Sequence, residues 1–307
     1  MIKGQEGALD CNVGEWRVCF TMQHIVSVIG LGKMGRPIAR TLIAAGWPVQ
    51  GFNRSVLAND LTKGIPLCKH IEEAAQADVC LLVLADSMAV DEVLNSLEPH
   101  LFSGKIVLDM GSSDPEHSRR HAKRLGIKGI GWVDAPVSGG PGGAASGSLA
   151  IMAGGNRNDF EQVRPILDAL GASVVHTGKP GAGHTAKIIN QVIVGLTIEA
   201  VSEALTLAEK SGIEPKLVQE ALREGWADSK ILRHHGTRMI NRDYEPGAYV
   251  QTQLKDLRMA QAIAHTINID LPHLESTIRM YESLVAQGDE NLDHAAIHKL
   301  FWTEEQL

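Results

Sequence analysis

The feature that most constrains the fold is a glycine-rich turn between a predicted strand and a predicted helix near the start of the chain. An apolar, β-branched run at Ile25 to Ile29 leads into this turn, and a helical pattern follows it. The turn consists of Gly30, Leu31, Gly32, Lys33, Met34 and Gly35. Its first glycine permits a tight turn, its second lets the backbone approach a pyrophosphate, and its third allows close packing of the helix. We therefore predict a Rossmann βαβ unit whose turn binds a dinucleotide.

The end of the second predicted strand indicates which dinucleotide is bound. An acidic residue about 20 positions after the glycines would bind the ribose hydroxyls of NAD, but this chain has Asn53, Arg54 and Ser55 there. A guanidinium and a hydroxyl can bind the 2′-phosphate of NADP, which a carboxylate would repel. The segment therefore favours NADP as the cofactor, with NAD as the second choice. The alternative is that Arg54 is a solvated surface residue and that Ser55 caps a helix.

Strands and helices alternate along the rest of the first half. Strands are predicted at residues 78 to 84 and 105 to 109, and helices at residues 71 to 76 and 88 to 97. In a doubly wound sheet the ligand lies beyond the carboxyl ends of the strands. Leu84, Ala85 and Ser112 are therefore predicted cofactor contacts. The alternative is ordinary turn chemistry, in which Ser112 or Ser113 caps the helix that begins near Pro115.

A cluster of glycines follows between two strand-like segments, residues 131 to 133 and residues 148 to 153. At its start, Ser138 offers a hydroxyl, and Gly139 and Gly140 offer backbone N–H groups that no side chain shields. Such a group of donors suits an anion. We predict that this segment binds an anion; the alternative is a flexible linker.

From Gly183 onward the pattern is helical. The first stretch, to about Ser211, has no internal proline and is apolar nearly all round, which predicts a long buried helix at the centre of an all-helical domain. Further helices are predicted at residues 214 to 223, 229 to 240, 251 to 267, 272 to 287 and 293 to 300. The fold class is thus α/β, with a flexible extension over residues 1 to 24, a doubly wound Rossmann domain over 25 to 182, and an all-helical domain over 183 to 307. For residues 1 to 24 the alternative is an artefact of start-site choice, because Met22 lies just before the first predicted strand.

One face of the long predicted helix carries polar residues. Lys187, Asn190, Gln191 and Val194 share this face by their i, i+3, i+4 and i+7 spacing. In a cleft beside a cationic nicotinamide, the pKa of a lysine falls because burial and a like charge both disfavour the charged form. Such a lysine could exchange a proton with a substrate near neutral pH. The alternative is that Lys187 extends into solvent from the start of the helix.

Composition and charge narrow the class of ligand. A chain of 307 residues, 44% hydrophobic and 21% charged, has room for two packed domains. A formal net charge of −7 without a basic stripe disfavours nucleic acid and anionic membranes as partners. No uninterrupted apolar run reaches the roughly 18 to 20 residues of a membrane span. A small-molecule ligand is therefore expected.

The cysteines and histidines show no pattern typical of a metal site. The four cysteines include no CxxC pair, which argues against a zinc site or a disulfide framework and favours a reduced, cytoplasmic setting. His294 and His298 have the spacing of a metal-binding pair, but no third ligand accompanies them in the sequence. We interpret this pair as part of a surface helix and predict no metal.

Four motifs in the same order resemble the β-hydroxyacid dehydrogenases, the family that includes 3-hydroxyisobutyrate dehydrogenase. They read VIGLGKMGRPIA, DAPVSGGPGGAASGSLAIMAGG, GAGHTAKIINQ and LKDLRMA. The resemblance extends from Ile25 essentially to Leu300. Within the family, the FNR segment at the second strand, EALTLA and the late DHAA are most similar to the tartronate semialdehyde (2-hydroxy-3-oxopropionate) reductases.

This resemblance implies a role for each matching residue. Lys187 matches the catalytic lysine, and Asn190 matches the asparagine that orients the substrate. Ser138, Gly139 and Gly140 match the segment that binds the substrate carboxylate. Ser112 matches a position near the nicotinamide, and Lys255 of LKDL matches a lysine that reaches the cofactor pocket from the helical domain. The implied fold is that of the 6-phosphogluconate dehydrogenases.

The resemblance also implies an activity. The expected reaction interconverts a small 3-hydroxy acid and its semialdehyde with NADPH and without a metal, and a homodimer or homotetramer is expected. Other short-chain semialdehydes, including that of 3-hydroxyisobutyrate, are alternative substrates. An imine reductase and a binding module without catalysis are further alternatives. They are disfavoured because this chain retains both Lys187 and the glycine motif.

Overall fold

The computed structural model describes residues 24 to 302, in which strands and helices alternate before helices continue alone. The predicted N-terminal extension lies outside the described residues except for His24. The strands are β1 (Val26–Ile29), β2 (Val49–Phe52), β3 (Val79–Leu82), β4 (Ile106–Asp109), β5 (Gly131–Asp134), β6 (Val137–Ser138), β7 (Leu149–Gly155) and β8 (Gly171–Gly178). Together they form a Rossmann-like sheet with a helical region after it.

The order of the strands fixes the position of the cofactor crevice. Within the described residues, eight strands form one sheet in the order β2-β1-β3-β4-β5-β7-β6, and β8 pairs with β7. The first five strands in this order are parallel, whereas β7 runs antiparallel to β5 and β6. The chain leaves β1 toward β2 on one side and later returns to β3 on the other. Ligands of open α/β sheets bind at such a reversal, beyond the carboxyl ends of the strands.

Helices cover both faces of this sheet. They are α1 (Gly35–Ala44), α2 (Asn59–Thr62), α3 (Ile71–Ala74), α4 (Ser87–Leu97), α5 (Pro115–Gly126), α6 (Gly140–Ser146) and α7 (Arg157–Leu170). Because helices pack on both faces, β1, β3 and β4 are buried at every position, which explains their continuous apolar sequences. One apolar core includes Ile38 and Leu42 of α1, and a second core includes Leu94 and Leu97 of α4.

The helical half is arranged around one long helix. Its helices are α8 (Ala182–Lys210), α9 (Pro215–Leu222), α10 (Lys230–Ile240), α11 (Val250–Thr266) and α12 (Pro272–Ala286), followed by a 3₁₀ helix at His294–Phe301. α8 contacts α10, α11, α12 and the 3₁₀ helix, and it also contacts β7 of the sheet. The same helix therefore belongs to the helical core and borders the Rossmann domain.

Burial of α8 differs from the sequence prediction. Ile188 and Ile198 are buried, but Ile189 is 57% exposed and Ile193 is 62% exposed. The prediction of a helix buried all round is thus wrong for one face. By length and composition, α8 could cross a membrane, unlike the other helices within residues 24 to 302. Its packing against α10, α11 and β7 is that of a core helix.

The glycine cluster after β6 also differs from one prediction. Residues Gly140–Ser146 form α6, which begins with Pro141 in its first turn and ends at Gly147 in the left-handed conformation, φ +63°. The alternative of a flexible linker is therefore wrong. The sequence analysis predicted neither α7 nor β8, because α7 contains Pro165 inside the helix and β8 alternates between partly buried and exposed positions.

Candidate active site

The glycine turn after β1 has the shape that a dinucleotide requires. Gly30 has a φ of +98°, a conformation that side chains rarely adopt, and a Cβ on Gly35 would overlap the carbonyl oxygen of Gly30. At Gly32, by contrast, no atom of the described residues lies within 4 Å of the position that a Cβ would take. The first and third glycines are thus required for packing, whereas the second borders open space that a pyrophosphate can fill.

The residues around this turn fit the same ligand. α1 begins without a capping side chain and without an acidic residue in its first turn, so its free N–H groups suit a phosphate. The side-chain oxygen of Asn53 accepts a hydrogen bond of 2.9 Å from the Leu31 N–H, and the Asn53 amide donates one of 2.8 Å to the Ser55 carbonyl. Asn53 therefore holds the glycine turn against the end of β2.

Arg54 stands at the predicted place for a 2′-phosphate, and its present partner is acidic. Its Nη1 lies 2.6 Å from a carboxylate oxygen of Glu92 on α4, and its side chain is 80% exposed. An ion pair at such an exposed position contributes about 0–1 kcal/mol. A phosphate could therefore displace Glu92 at small cost. The position of Arg54 is compatible with NADP.

Lys33 connects the glycine turn to the helical half. Its Nζ lies 3.4 Å from the Pro246 carbonyl oxygen and 4.6 Å from the centre of the Tyr249 ring. Met34, its neighbour, is partly buried and packs on the core beneath α1. The turn is thus in contact with the residues that lead into α11.

The loops after β3 and β4 meet a lysine from α11. Lys255 Nζ donates hydrogen bonds to the Ala85 carbonyl, at 3.0 Å, and to the Ser112 carbonyl, at 2.8 Å. Leu84 precedes this contact and packs on the core around α4. Predicted cofactor residues from three distant parts of the sequence therefore lie together.

The helices after these loops are capped by residues other than those that the sequence analysis considered. Asp86 accepts a hydrogen bond from the Ala89 N–H at the start of α4, and Asp114 accepts one from the Glu116 N–H at the start of α5. The alternative in which Ser112 or Ser113 caps α5 is therefore wrong. Ser112 Oγ instead donates to Asp256 Oδ1 at 3.0 Å.

Lys187 lies in the second turn of α8 and is held by a neighbour on the same helix face. Its Nζ donates a hydrogen bond of 2.9 Å to Gln191 Oε1, and Asn190 Nδ2 donates one of 2.9 Å to the same oxygen. The alternative of a solvated lysine is wrong, because the side chain is partly buried. The predicted catalytic pair is thus joined through Gln191.

Gln191 is a site residue that was noted on this helix face but given no role. Its Nε2 donates one hydrogen bond to Gln253 Oε1 and another to Asp256 Oδ2, both at 3.0 Å. Both hydrogens and the oxygen of its amide are therefore engaged, which fixes the orientation of the amide. Through Asp256, Lys187 is connected to Ser112 and to the loop that Lys255 holds. The available signal was that Gln253 and Asp256 stand beside the helically spaced apolar residues Val250, Leu254 and Leu257 of α11.

The surroundings of Lys187 adjust its acidity. Burial is the main cause that lowers the pKa of Lys187 to about 8; Asp256 acts in the opposite direction, and the positive charge of Lys255 lowers the pKa further. A lysine with this pKa is populated in both protonation states near neutral pH. It can therefore give or take a proton without a large energetic cost.

The first turn of α8 is anchored by a buried carboxylate at the end of β5. Asp134 accepts hydrogen bonds from the Gly181 N–H at 2.7 Å and from the His184 N–H at 3.0 Å. The His184 ring lies 2.6 Å from Ser118 Oγ of α5, which ties the same turn to a second element. Burial raises the pKa of Asp134 in spite of these hydrogen bonds. The anchoring places Lys187 one turn further along a fixed helix.

The predicted carboxylate-binding segment lies where β6 ends and α6 begins. Gly139 has a φ of +134° and Gly140 a φ of +62°, so two consecutive residues adopt conformations that favour glycine. Ser138 is the last residue of β6 and is partly buried. Space remains around Gly140, where none of the described atoms lies within 4 Å of a Cβ position. The segment retains the features for which it was predicted.

A buried polar cluster lies behind Gln191 and includes His294, which the sequence analysis placed on the surface. Gln253 Oε1 lies 3.3 Å from His294 Nδ1, and His294 Nε2 lies 3.3 Å from His235 Nε2. His294 and His298 are each 5% exposed, so their interpretation as a surface helix face is wrong. Burial lowers the pKa of His294 to about 3, which keeps this ring neutral next to Lys187.

Comparison with known proteins is consistent with this geometry. The model of the NAD binding domain of 6-phosphogluconate dehydrogenase matches residues 25 to 178, and the NAD-binding model of NADP-dependent 3-hydroxyisobutyrate dehydrogenase matches residues 181 to 301. The chain is 37% identical to the 2-hydroxy-3-oxopropionate reductase of Escherichia coli, covering 88% of this chain and 94% of that protein.

The chain belongs to the 3-hydroxyisobutyrate dehydrogenase family of β-hydroxyacid dehydrogenases. It is 30% identical to the NAD-dependent L-serine dehydrogenase of Pseudomonas aeruginosa, over 90% of this chain and 97% of that one. A solved structure of Mycobacterium tuberculosis 3-hydroxyisobutyrate dehydrogenase with L-serine has 26% identity and a TM-score of 0.81, covering 92% of this chain and 100% of that one. The chain is therefore an NAD(P)-dependent β-hydroxyacid dehydrogenase.

Membership of the family confirms the predicted fold and class of activity. Relatives of similar identity carry names with different substrates, so family membership restricts the substrate to the class of small hydroxy acids and their semialdehydes. The residues that bind the substrate remain predictions. Their proposed roles follow from the geometry described above.

Proposed function

We propose that this enzyme reduces tartronate semialdehyde, 2-hydroxy-3-oxopropionate, to glycerate, with a preference for NADPH. The observation that carries the proposal is the partly buried Lys187, with a pKa lowered to about 8 and its Nζ held by Gln191. The choice of substrate within the class is supported by 37% identity to the E. coli enzyme over nearly its whole length. Interconversion of a 3-hydroxy acid and its semialdehyde requires one proton donor at the carbonyl oxygen, which Lys187 supplies.

The proposed mechanism assigns one task to each group of residues. When bound, the dinucleotide supplies the hydride that reduces the aldehyde carbon. Protonated Lys187 donates a proton to the carbonyl oxygen, and neutral Lys187 accepts it in the reverse direction. Gln191 holds the amine of Lys187 in place, and Asn190 orients the substrate. The N–H groups of Gly139 and Gly140, with the Ser138 hydroxyl, bind the substrate carboxylate, and holding the substrate at two points lowers the entropic part of the barrier.

The cofactor preference is argued from the end of β2. Asn53, Arg54 and Ser55 provide no carboxylate for a ribose diol, and the guanidinium of Arg54 is exposed and reachable. Arg54 would exchange Glu92 for a 2′-phosphate, which is a stronger partner because of its higher charge and its capacity for paired hydrogen bonds. We accordingly assign NADPH as the preferred cofactor and NADH as the weaker one.

The first experiment is an assay of dinucleotide oxidation with a panel of aldehydes. Tartronate, methylmalonate, succinate and glyoxylate (semi)aldehydes are each tested with NADPH and with NADH. We expect the highest kcat/KM for tartronate semialdehyde with NADPH, and a loss of about 10²-fold or more in Lys187→Ala. Lys123→Ala, which changes an exposed lysine on α5, is the matched control and should retain full activity.

Two outcomes of this assay would contradict the proposal. A higher kcat/KM for methylmalonate semialdehyde would assign the enzyme to 3-hydroxyisobutyrate, the substrate named for the M. tuberculosis structure. Undiminished activity of Lys187→Ala would remove the proposed proton donor and with it the mechanism. Oxidation of L-serine with NAD is measured in parallel, because a relative of 30% identity is named for that reaction.

We also propose that the enzyme assembles as a homo-oligomer through the helical half and acts in the cytoplasm. The support for assembly is the apolar face of α8, where Ile189 and Ile193 are exposed one turn apart. Apolar side chains exposed side by side on a helix are typical of an interface between subunits. A C₂ dimer is the simplest arrangement that covers this face. Cell fractionation with an antibody to the untagged protein tests the location.

A further inference from the structure

Two helices of the Rossmann domain bring together a carboxylate and two imidazoles. His117 and His121 lie one turn apart on α5, and Asp91 lies on the adjacent helix α4. His117 Nδ1 is 3.2 Å from Asp91 Oδ2, and His121 Nε2 is 2.9 Å from Asp91 Oδ1. All three donor atoms lie within 4.8 Å of one another. The sequence analysis did not identify His117 and His121 as metal ligands, because the carboxylate of Asp91 belongs to a different helix.

The contacts in this cluster do not have the geometry of hydrogen bonds. Both ring nitrogens are buried and lack a hydrogen-bond partner, although a carboxylate oxygen is near each of them. The His121 side chain is only 5% exposed. Leaving a buried polar atom without a partner costs about 1–3 kcal/mol, so such an atom needs an explanation. The ring nitrogens and the carboxylate oxygens thus lie close together without forming hydrogen bonds. Atoms that bind the same metal ion have such an arrangement.

The distances between these atoms agree with a small divalent ion. Zinc binds histidine nitrogen and carboxylate oxygen at about 2.0–2.2 Å in a tetrahedral arrangement, which separates neighbouring ligand atoms by roughly 3.3 Å. The two observed nitrogen-to-oxygen separations, 2.9 and 3.2 Å, run to the two different oxygens of Asp91 and are close to that value. The three ligand atoms lie within 4.8 Å of one another. Histidine and carboxylate ligands suit zinc and neighbouring transition metals, whereas calcium and magnesium prefer oxygen.

The electrostatic setting also suits a cation. A neutral imidazole has a free lone pair on one ring nitrogen, as a metal ligand requires. Arg124, a positive group close enough to act on His121, is engaged by Glu98 at 2.9 Å. One carboxylate and two neutral imidazoles would leave the bound ion with a net charge of about +1.

A second cluster of two histidines and one aspartate differs from the Asp91 cluster in its hydrogen bonds. His235, Asp293 and His294 also lie within reach of one another. There, however, the Asp293 carboxylate already accepts hydrogen bonds from the N–H groups of Gly247, Ala248 and Ala295, and it also contacts Arg238. Its oxygens are occupied, and the His294 ring is shared between Gln253 and His235. His235 Nδ1 also lacks a hydrogen-bond partner there, but the carboxylate that would complete a metal site is already engaged by the backbone and by Arg238.

We propose that Asp91, His117 and His121 form a binding site for a divalent transition-metal ion of the zinc class, with a fourth position open to water. The Asp91 side chain is 38% exposed and that of His117 is 24% exposed, which gives the ion a path of entry. The ion would join α4 to α5, the two helices that follow the cofactor loops after β3 and β4. These helices already meet at their starts, where Ser87 Oγ accepts a hydrogen bond of 2.9 Å from the Asp114 N–H. The site departs from the metal-free expectation of the sequence analysis.

Trp132 provides a spectroscopic reporter for this site. Its ring is buried in β5, and its centre lies 5.1 Å from that of His121. A paramagnetic ion such as Co²⁺ bound to His121 would quench the fluorescence of this tryptophan. Trp132→Phe removes the reporter without removing a ligand, so it separates local quenching from quenching at the other tryptophans.

The test uses the untagged, full-length enzyme freed of metal by a chelator and then by dialysis. Zn²⁺ is titrated by calorimetry, and Co²⁺ by its visible absorption and by tryptophan fluorescence. We expect one high-affinity ion per chain, quenching that disappears in Trp132→Phe, and loss of at least about 10-fold in affinity in His117→Ala and in Asp91→Asn. His235→Ala, which alters the second cluster, is the matched control and should bind zinc as the parent does.

Other outcomes would overturn the proposal. The site does not exist if the parent enzyme binds neither ion at concentrations below about the millimolar range, or if His117→Ala and Asp91→Asn bind zinc with unchanged affinity. Loss of binding in His235→Ala alone would move the site to the second cluster. Because His117 is the more exposed of the two histidines, His117→Ala should fold even if a His121 variant does not, and thermal unfolding without metal checks this.

Discussion

At the scale of single residues, the environment of Lys187 determines how activity depends on pH. With a pKa of about 8, this lysine is mainly protonated below pH 8 and mainly neutral above it. Reduction requires the protonated form, so its kcat/KM should fall as the pH rises through about 8, and oxidation should rise over the same interval. Initial rates in both directions between about pH 6 and 10 test this prediction. Profiles that run in parallel in the two directions would contradict it.

Two neighbours of Lys187 should shift this profile in opposite directions. Lys255→Met removes a positive charge that lowers the pKa of Lys187, so the midpoint should move to higher pH. Asp256→Asn removes a negative charge that raises the pKa, so the midpoint should move to lower pH. Lys255 contacts the cofactor loop and Asp256 contacts Gln191, so either substitution can also change the maximal rate. The midpoint of the pH profile is therefore the quantity compared. Shifts of the same sign would show that the charges act indirectly.

The lowered pKa of Lys187 also has a consequence for stability. Because its folded-state pKa of about 8 lies below its ordinary value of 10.5, the unfolded chain binds more protons between these values, and stability should increase as the pH rises from 8 to 10.5. Burial of the charged form thus costs stability at pH 7, and Lys187→Met should raise the free energy of unfolding by about 1–3 kcal/mol. Urea unfolding at pH 7 measures this gain, with Lys123→Met as the exposed control. A destabilised Lys187→Met would mean that its hydrogen bond to Gln191 outweighs the cost of burial.

At the scale of elements, the β1 turn and α1 form a unit in which two glycines have different tasks. A Cβ on Gly35 would meet the Gly30 carbonyl, so Gly35→Ala should destabilise the fold by several kcal/mol, on the order of 2–5 kcal/mol. A Cβ on Gly32 would meet no described atom, so Gly32→Ala should leave the melting temperature nearly unchanged. It should instead weaken dinucleotide binding by about 10-fold or more, because the methyl group would occupy the space for the pyrophosphate. Thermal unfolding and fluorescence titration with NADPH separate the two effects. Equal stability of the Gly35→Ala and Gly32→Ala variants would contradict the assignment of different tasks to the two glycines.

Elements were predictable where local sequence determined them. β1, β3 and β4 have continuous apolar sequences because helices cover both faces, and the glycine turn has a fixed spacing. α6 was missed because proline and glycine suggested a loop, although Pro141 is favourable in the first turn of a helix. The 3₁₀ helix at His294–Phe301 has the spacing of an exposed face, yet it is covered by α8 and α12. Tertiary packing, which the sequence pattern does not contain, decided these cases.

The site shows the same division between local and distant information. Lys187 and Asn190 could be predicted because a helix brings residues three positions apart together. The partner groups of Gln191 lie more than 60 residues away, at Gln253 and Asp256, and only the fold brings them into contact. The burial of His294 follows from the same packing of α8 against the end of the chain. The chemistry of the lysine was therefore predictable, whereas the network that orients it was not.

At the scale of the whole molecule, the exposed apolar face of α8 makes assembly testable. Ile193→Glu places a charge at the centre of the face that we assign to the interface between subunits, and burying an unpaired carboxylate there would cost several kcal/mol. We expect light scattering after size exclusion to give an oligomer for the parent enzyme and a monomer for Ile193→Glu. Phe102→Glu, an equally exposed apolar position in the Rossmann domain, should leave the mass unchanged. A monomeric parent enzyme would instead leave Ile189 and Ile193 exposed to solvent and would remove the interface from the proposal.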